Sequence, residues 1–302
     1  MRSESSTNPY DKIAYFYDRF QDFDASNLAI DWAEFIYRII EQFKMKQEAL
    51  ENSFDINKQS NFLIKERTLD VLDLGCGTAK ISLALSRIAP AWRILGVDNS
   101  KEMLIEAANN QDMLNSESLI HSNKYSENLA AMNFFNSSNI EFSMQDIREL
   151  NLDKKFDCIY TSLDVFNHLN FDELRDTFLR IKEHLKPKAL LIFDLHSLTY
   201  MEEILGGNVY SEIAEDYAVI WKNNFSLQYG KNQAAISSFL EIEKGIYRRE
   251  DLLVNEYYHS VKNVLDLLAN LGFNARRLKN DEFIDSWEGK RIFVEAYLEG
   301  AI

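Results

Sequence analysis

Cysteine is nearly absent. Cys76 and Cys158 are the only two in 302 residues, which excludes a disulfide scaffold and fits a reducing, cytoplasmic setting. Basic charge is also short: 33 Lys and Arg stand against 48 Asp and Glu, a formal net charge of −15. A protein that tracks phosphates needs a basic surface, so nucleic acid is not an expected partner. No run approaches the roughly 18 apolar residues that a membrane helix requires. The polar start MRSESSTNPYDK lacks the apolar core of an export signal. The chain therefore reads as soluble, with no membrane partner. Its five histidines are scattered, and no metal is expected. Repeats and low-complexity tracts are missing too.

What is there is a sizeable core, since 46% of the residues are hydrophobic. Residues 1–9 read as disordered. An aromatic-dense stretch follows from Asp11 to Phe23. Leu28, Trp32, Phe35, Ile36, Ile39, Ile40 and Phe43 then recur at helical spacing. Residues 44–67 read as a polar connector. Strands are expected at Leu69–Leu74, Arg93–Val97, Ile140–Met144, Phe156–Thr161 and Ala189–Leu195, with helices between them. Ser100 suits an N-cap, and residues 110–139 read as a partly helical insertion. Strands alternating with helices in this way predict an α/β fold with a parallel sheet covered on both faces.

Residues 196–250 break that rhythm. Tyr217–Leu227, Ala234–Glu243 and Ile246–Glu256 are strand-like runs with turns near Gly230 and Gly245, and they predict an inserted antiparallel meander. A helix around Val261–Leu271, closed by Gly272, and strands at Phe273–Leu278 and Arg291–Leu298 return to the first pattern. The expected layout is one domain from residues 1–195 and 251–302, with 196–250 as an insertion.

The sharpest motif is Val71-Leu72-Asp73-Leu74-Gly75-Cys76-Gly77-Thr78, a strand running through a glycine turn into a helix. Gly75 and Gly77 let the backbone approach a ligand closely. A nicotinamide dinucleotide fingerprint needs a small residue at the sixth position of its glycine motif; Lys80 stands there instead. Asp73, two residues before the first glycine, suits a cationic ligand group better than a pyrophosphate.

These residues resemble the class I S-adenosylmethionine-dependent methyltransferases, over roughly Tyr10–Leu195 plus the tail. Asp73, Gly75 and Gly77 match the family's first motif, with Ala79 in place of its third glycine. The resemblance implies a Rossmann-like, doubly wound, mostly parallel sheet with the meander as an inserted antiparallel β lid. It also implies S-adenosylmethionine as cofactor. Asp98, with Asn99 beside it, would accept the ribose hydroxyls. Asp146 and Ile147 would read the adenine edge, and Met103 would pack on the adenine face. The segment from Ser162 to Leu169 resembles the region after strand four of small-molecule members. The start Tyr10–Asp18 resembles their N-terminal helix, which closes over the cofactor and brings Tyr17 to it.

Methyl transfer from a sulfonium needs alignment and exclusion of water more than activation. An amine or hydroxyl acceptor also needs a base. His168, after strand four, and His196, after strand five, are the candidates, with Tyr17 as a third catalytic group. His259 lies at the base of the meander, while His121 and His184 read as surface residues. The acceptor is expected to be a small molecule methylated on N, O or C. A protein or RNA acceptor, or a non-catalytic cofactor-binding subunit, are the alternatives. Tyr217, Trp221 and the other aromatics of the insertion suit an acceptor wall, or contact with a second copy in a homodimer. S-adenosylmethionine and its demethylated product should each raise the melting temperature, because ligands of the folded state stabilise it. NAD should leave it unchanged, and a shift with NAD would overturn the assignment.

Overall fold

Asp70–Leu74 is buried at every position, as a strand between two layers of helices must be. It is the first strand, β1, of the computed structural model, which describes residues 8–21, 27–52, 67–124, 139–279 and 289–298. The helices are α1 (Ala14–Phe20), α2 (Leu28–Asn52), α3 (Lys80–Ile88), α4 (Lys101–Lys124), α5 (Phe171–His184) and α6 (Val261–Asn270). The other strands of the first sheet are β2 (Arg93–Asp98), β3 (Ile140–Met144), β4 (Phe156–Tyr160), β5 (Leu185–His196), β11 (Phe273–Arg277) and β12 (Arg291–Leu298). Its order is β11-β12-β5-β4-β1-β2-β3. The run from β3 through β5 is parallel, and β12 and β11 are antiparallel.

Side chains alternate between two cores, as the period of a strand dictates. Val71, Cys158, Tyr160, Leu190 and Ile192 face Trp32, Phe35 and Ile36 of α2 and Leu85 of α3. Leu72, Leu74, Ile159, Leu191 and Phe193 face Leu174 and Phe178 of α5 and Val264 and Leu268 of α6. The chain order reverses between β1 and β4, so a ligand crevice is expected outside their carboxyl ends.

A second sheet follows β5. Its strands are β6 (Val209–Ile213), β7 (Tyr217–Lys222), β8 (Phe225–Ser226), β9 (Lys231–Glu243) and β10 (Ile246–Tyr257), ordered β10-β9-β7-β6 with β8 on β9. Its inner face packs Tyr217, Val219, Ile236 and Val254 against Ile13, Ala14 and Phe16 of the N-terminal segment and Met103 of α4. Phe16 stacks on Tyr217 at 4.8 Å and Phe20 on Trp221 at 5.4 Å. The N-terminal segment is thus wedged between the second sheet and α4.

Several boundaries differ from expectation for identifiable reasons. The connector expected from residue 44 is helical to Asn52, because Phe43 and Gln47 stay buried and Gln47 donates to the Lys188 carbonyl. Pro187 lies inside β5, where the register against β4 shifts between Phe156 and Cys158; such an irregularity tolerates proline in a strand. β6 and the π-helical turn Tyr200–Leu205 have no counterpart in the sequence reading, and the second sheet continues to Tyr257, beyond residue 250. His184 is buried rather than on the surface: it accepts from the Leu152 N–H and bonds the Arg180 carbonyl. The side chain of His121 and residues 1–7 and 125–138 lie outside the described residues. Among the described residues no helix is long and apolar enough to cross a membrane.

Asn170 caps α5 in a reciprocal box with Glu173, and Glu173 also reaches the cleft described below. Replacing Asn170 with Ala should lower unfolding stability by about 1 kcal/mol. Urea titration would show this as a shifted midpoint with unchanged slope.

Candidate active site

The turn after β1 is left-handed three times, at Gly75 (φ +74°), Gly77 (+53°) and Ala79 (+60°). A Cβ built on Gly75 would sit 2.6 Å from Val165 Cγ2, so the turn passes the chain after β4 with no room for a side chain. The Gly77 N–H donates to Asp98 Oδ2 at 2.9 Å, and the Ser100 N–H to Oδ1 at 2.8 Å. Burial raises the pKa of Asp98 against the lowering effect of these backbone donors. Its carboxyl is fixed in place with lone pairs left for a ligand. Ser100 Oγ accepts from the Met103 N–H and so caps α4.

These groups open on a cleft of about 370 Å³ over the carboxyl ends of β1, β2 and β4. Tyr17, Gly75, Gly77, Asp98, Asn99, Met103, Asp146, Ile147, Ser162 and His168 all line it. Asp146 caps the short 3-10 turn Ile147–Glu149 and pairs with Arg148. Burial disfavours its charge, but Arg148 outweighs that and leaves its pKa lowered.

Two expected residues do not line the cleft. Asp73 is 1% exposed and accepts from Ser82 Oγ at 2.6 Å and the Tyr160 hydroxyl at 2.9 Å. Burial pushes its pKa up to about 7 in spite of these donors. Its Oδ2 ties β1 to α3 and β4 beneath the glycine turn, while its buried Oδ1 has no hydrogen-bond partner. His196 is also buried. It stacks on Tyr200 at 4.4 Å, and its Nε2 lies 3.2 Å from Asp164.

His168 does face the cleft. Its Nε2 is 3.1 Å from the Tyr10 hydroxyl and 3.8 Å from Asp164. Asp164 follows Leu163 in a left-handed pair, φ +61° and +59°, an unfavourable conformation for side chains with a Cβ. The pair is held from below: the Asp164 N–H donates to Asp194, and Arg291 bonds both Asp164, at 2.9 Å, and Asp194. Burial opposes charge on Asp164, yet His196 and Arg291 overcome it and hold its carboxyl well below the usual carboxylate range. Asp194, buried deeper, is shifted upward.

Asp164, His196 and Glu256 bring ligand atoms within 4.8 Å of one another. Arg291 already neutralises Asp164 and Asn232 donates to Glu256, so this is a hydrogen-bonded ion cluster whose guanidinium opposes a second cation. Arg291 and Asp194 were missed from sequence because they function only through tertiary contact. Tyr10 and Asp164 stood in segments singled out for resemblance, but nothing in their spacing marked them. Tyr217 and Trp221, expected as an acceptor wall, are occupied in stacking on Phe16 and Phe20.

A parallel sheet with a glycine turn, and acids at successive strand ends around one cleft, defines a cofactor-binding α/β protein. Residues 71–188 match a family model described as a methyltransferase domain. A Geobacillus sp. (strain WCH70) protein named as a methyltransferase is 26% identical over 295 residues, 95% of this chain and 98% of its own. The crystal structure of an S-adenosylmethionine-dependent methyltransferase from Clostridium acetobutylicum is 25% identical, covers 97% of this chain and 100% of its own, and gives a TM-score of 0.65. The sugar N-methyltransferase KedS8 of Streptoalloteichus shares the fold at 16% identity and a TM-score of 0.62, over 94% of this chain and 93% of its own. The family-model match and the two full-length likenesses together support a class I S-adenosylmethionine-dependent methyltransferase.

The buried Asp73 gives a pH test. Its pKa of about 7 in the folded state exceeds the unfolded value of about 4. The folded protein therefore binds a proton that the unfolded chain releases, and this group's contribution to stability falls as pH rises between those values. Asp73→Asn, neutral throughout, should lose that slope. Melting curves from about pH 5 to 8 should show the wild type declining relative to the variant; parallel profiles would overturn it.

Proposed function

We propose that the protein transfers the methyl group of S-adenosylmethionine to an amine of a small polar acceptor, an amino sugar being the class best suited. The observation that carries this is His168, which faces the cleft with Tyr10 and Asp164 as its partners. The likeness to KedS8 is one of fold; His168 supplies the base that an amine, like a hydroxyl, requires, and the acceptor panel below separates the two.

The cleft suits the cofactor. Gly77 lines it, and a Cβ built there would meet nothing within 4 Å, so the turn leaves open space for close approach of a ligand chain. Asp98 offers acceptors for the ribose hydroxyls, and Met103, Asp146 and Ile147 form the place for adenine. S-adenosylmethionine supplies a methyl group already activated by its sulfonium. The protein's residues do the rest. Tyr10 and Tyr17 roof the cleft and exclude water. With the cofactor held there, the acceptor nitrogen would take the methyl group and His168 would accept the proton that this nitrogen gives up. Asp164 stabilises the imidazolium that results. His196, buried on Tyr200, positions Asp164. The antiparallel sheet acts as the lid of the acceptor site, and its β10 strand rather than its aromatic inner face borders the cleft.

Methyl-labelled cofactor offered to a panel of amino sugars, phenols, carboxylic acids and peptides tests the acceptor class; turnover confined to phenols or acids would sink the proposal. His168→Gln should lower kcat by roughly a hundredfold, with cofactor affinity retained. A wild-type kcat would remove His168 from the mechanism.

A further inference from the structure

β10 is an edge strand, and its register shows which of its backbone groups are unpaired. In β9 the Gln233 N–H donates to the Asn224 carbonyl at 3.1 Å and the Glu241 N–H to that of Asp216 at 2.8 Å. Odd-numbered residues of β9 therefore turn toward β7 and β8, and even-numbered ones toward β10. Asn232 pairs with Glu256, Ala234 with Val254 and Ile236 with Leu252. In an antiparallel ladder the N–H and C=O of one residue point the same way, so the even residues of β10 serve the ladder and the odd ones face outward. Two side-chain bonds agree: Lys12 Nζ reaches the Asp251 carbonyl at 3.2 Å, and Asn167 Nδ2 the Tyr257 carbonyl at 2.8 Å.

Between those two fastenings lie Leu253 and Asn255, and both line the cleft. Among the described residues neither backbone has a hydrogen-bond partner on this side. Two N–H donors and two C=O acceptors, roughly 7 Å apart along the strand, thus face the cavity near the segment that carries His168. Polar backbone in such a place needs water or a ligand to satisfy it.

We propose that this edge is the acceptor's binding rail: the Leu253 and Asn255 backbone groups hydrogen-bond the polar groups of the acceptor and hold its amine toward His168. The choice of a sugar rests on the amine reading above; the rail itself rests on the register. Neighbouring hydroxyls, each both donor and acceptor, suit a row that alternates N–H and C=O. Lys12 closes one end of the row and Asn167 the other, so an extended polypeptide cannot add to the edge and run on, while a compact molecule fits between. Recognition through backbone leaves side-chain identity at these two positions free to vary.

Residue-resolved amide exchange on the full chain with S-adenosylhomocysteine is the first test. Val254 and Glu256 should exchange slowly and Leu253 and Asn255 fast. Slow exchange at Leu253 and Asn255 in this binary complex would overturn the proposal, since the edge would be satisfied without an acceptor. Adding an amino sugar that turns over should slow those two amides. If a different acceptor turns over and slows them, the rail stands and the amino-sugar reading falls; if an acceptor turns over and leaves them fast, the rail falls. The second test is Asn255→Pro against Asn255→Ala. Proline at 255 removes an N–H that the ladder does not use, which an edge strand tolerates, while alanine keeps it. The ratio of acceptor KM to cofactor KM should be about fivefold to tenfold higher in Asn255→Pro than in Asn255→Ala. Equal ratios would overturn the role of the backbone.

Discussion

Arg291 is the interaction on which the active end of the molecule depends. Its guanidinium is nearly buried and binds two carboxylates, Asp164 and Asp194. Burying ions is expensive, and only close pairing with further hydrogen bonds offsets it. Here the pairing joins β12, near the end of the chain, to β5 and to the turn after β4. That turn carries Leu163 and Asp164 in left-handed backbone and leads into Val165, which touches the glycine turn, and His168, which faces the cleft. The last strand of the sheet therefore sets the geometry of a loop more than a hundred residues before it.

The same dependence explains what could be read from sequence. The parallel core was legible because buried strands and amphipathic helices have short periods, and Val71–Leu74 or Leu174–Ile181 show them locally. Asp98, Met103 and Asp146 were legible because each follows a strand that ends at the cleft. Asp73 was legible as part of the glycine motif, but its partners beneath the turn, Ser82 and Tyr160, were not. The strand expected from Ala189 starts earlier, at Leu185, because the irregular register against β4 admits Pro187. Arg291 and the free edge of β10 carry no local signal at all; one exists through packing and the other through register.

The second sheet presses its inner face on the N-terminal segment, and that segment supplies Tyr10 and Tyr17 to the cleft. The cleft is therefore built from layers that touch. Asp11 strengthens the joint: it accepts from Ser100 Oγ beside Asp98, while its neighbour Lys12 pairs with Glu250 of β10. Acid and base on adjacent residues thus fasten the wedge to both sheets.

The wedge also makes cleft and second sheet one mechanical unit. Tyr10 and Tyr17 line the cleft, while Phe16 and Phe20 of the same segment stack on Tyr217 and Trp221 of the second sheet. In a close-packed interior strain is transmitted rather than absorbed, so neither layer can shift without moving a wall of the other.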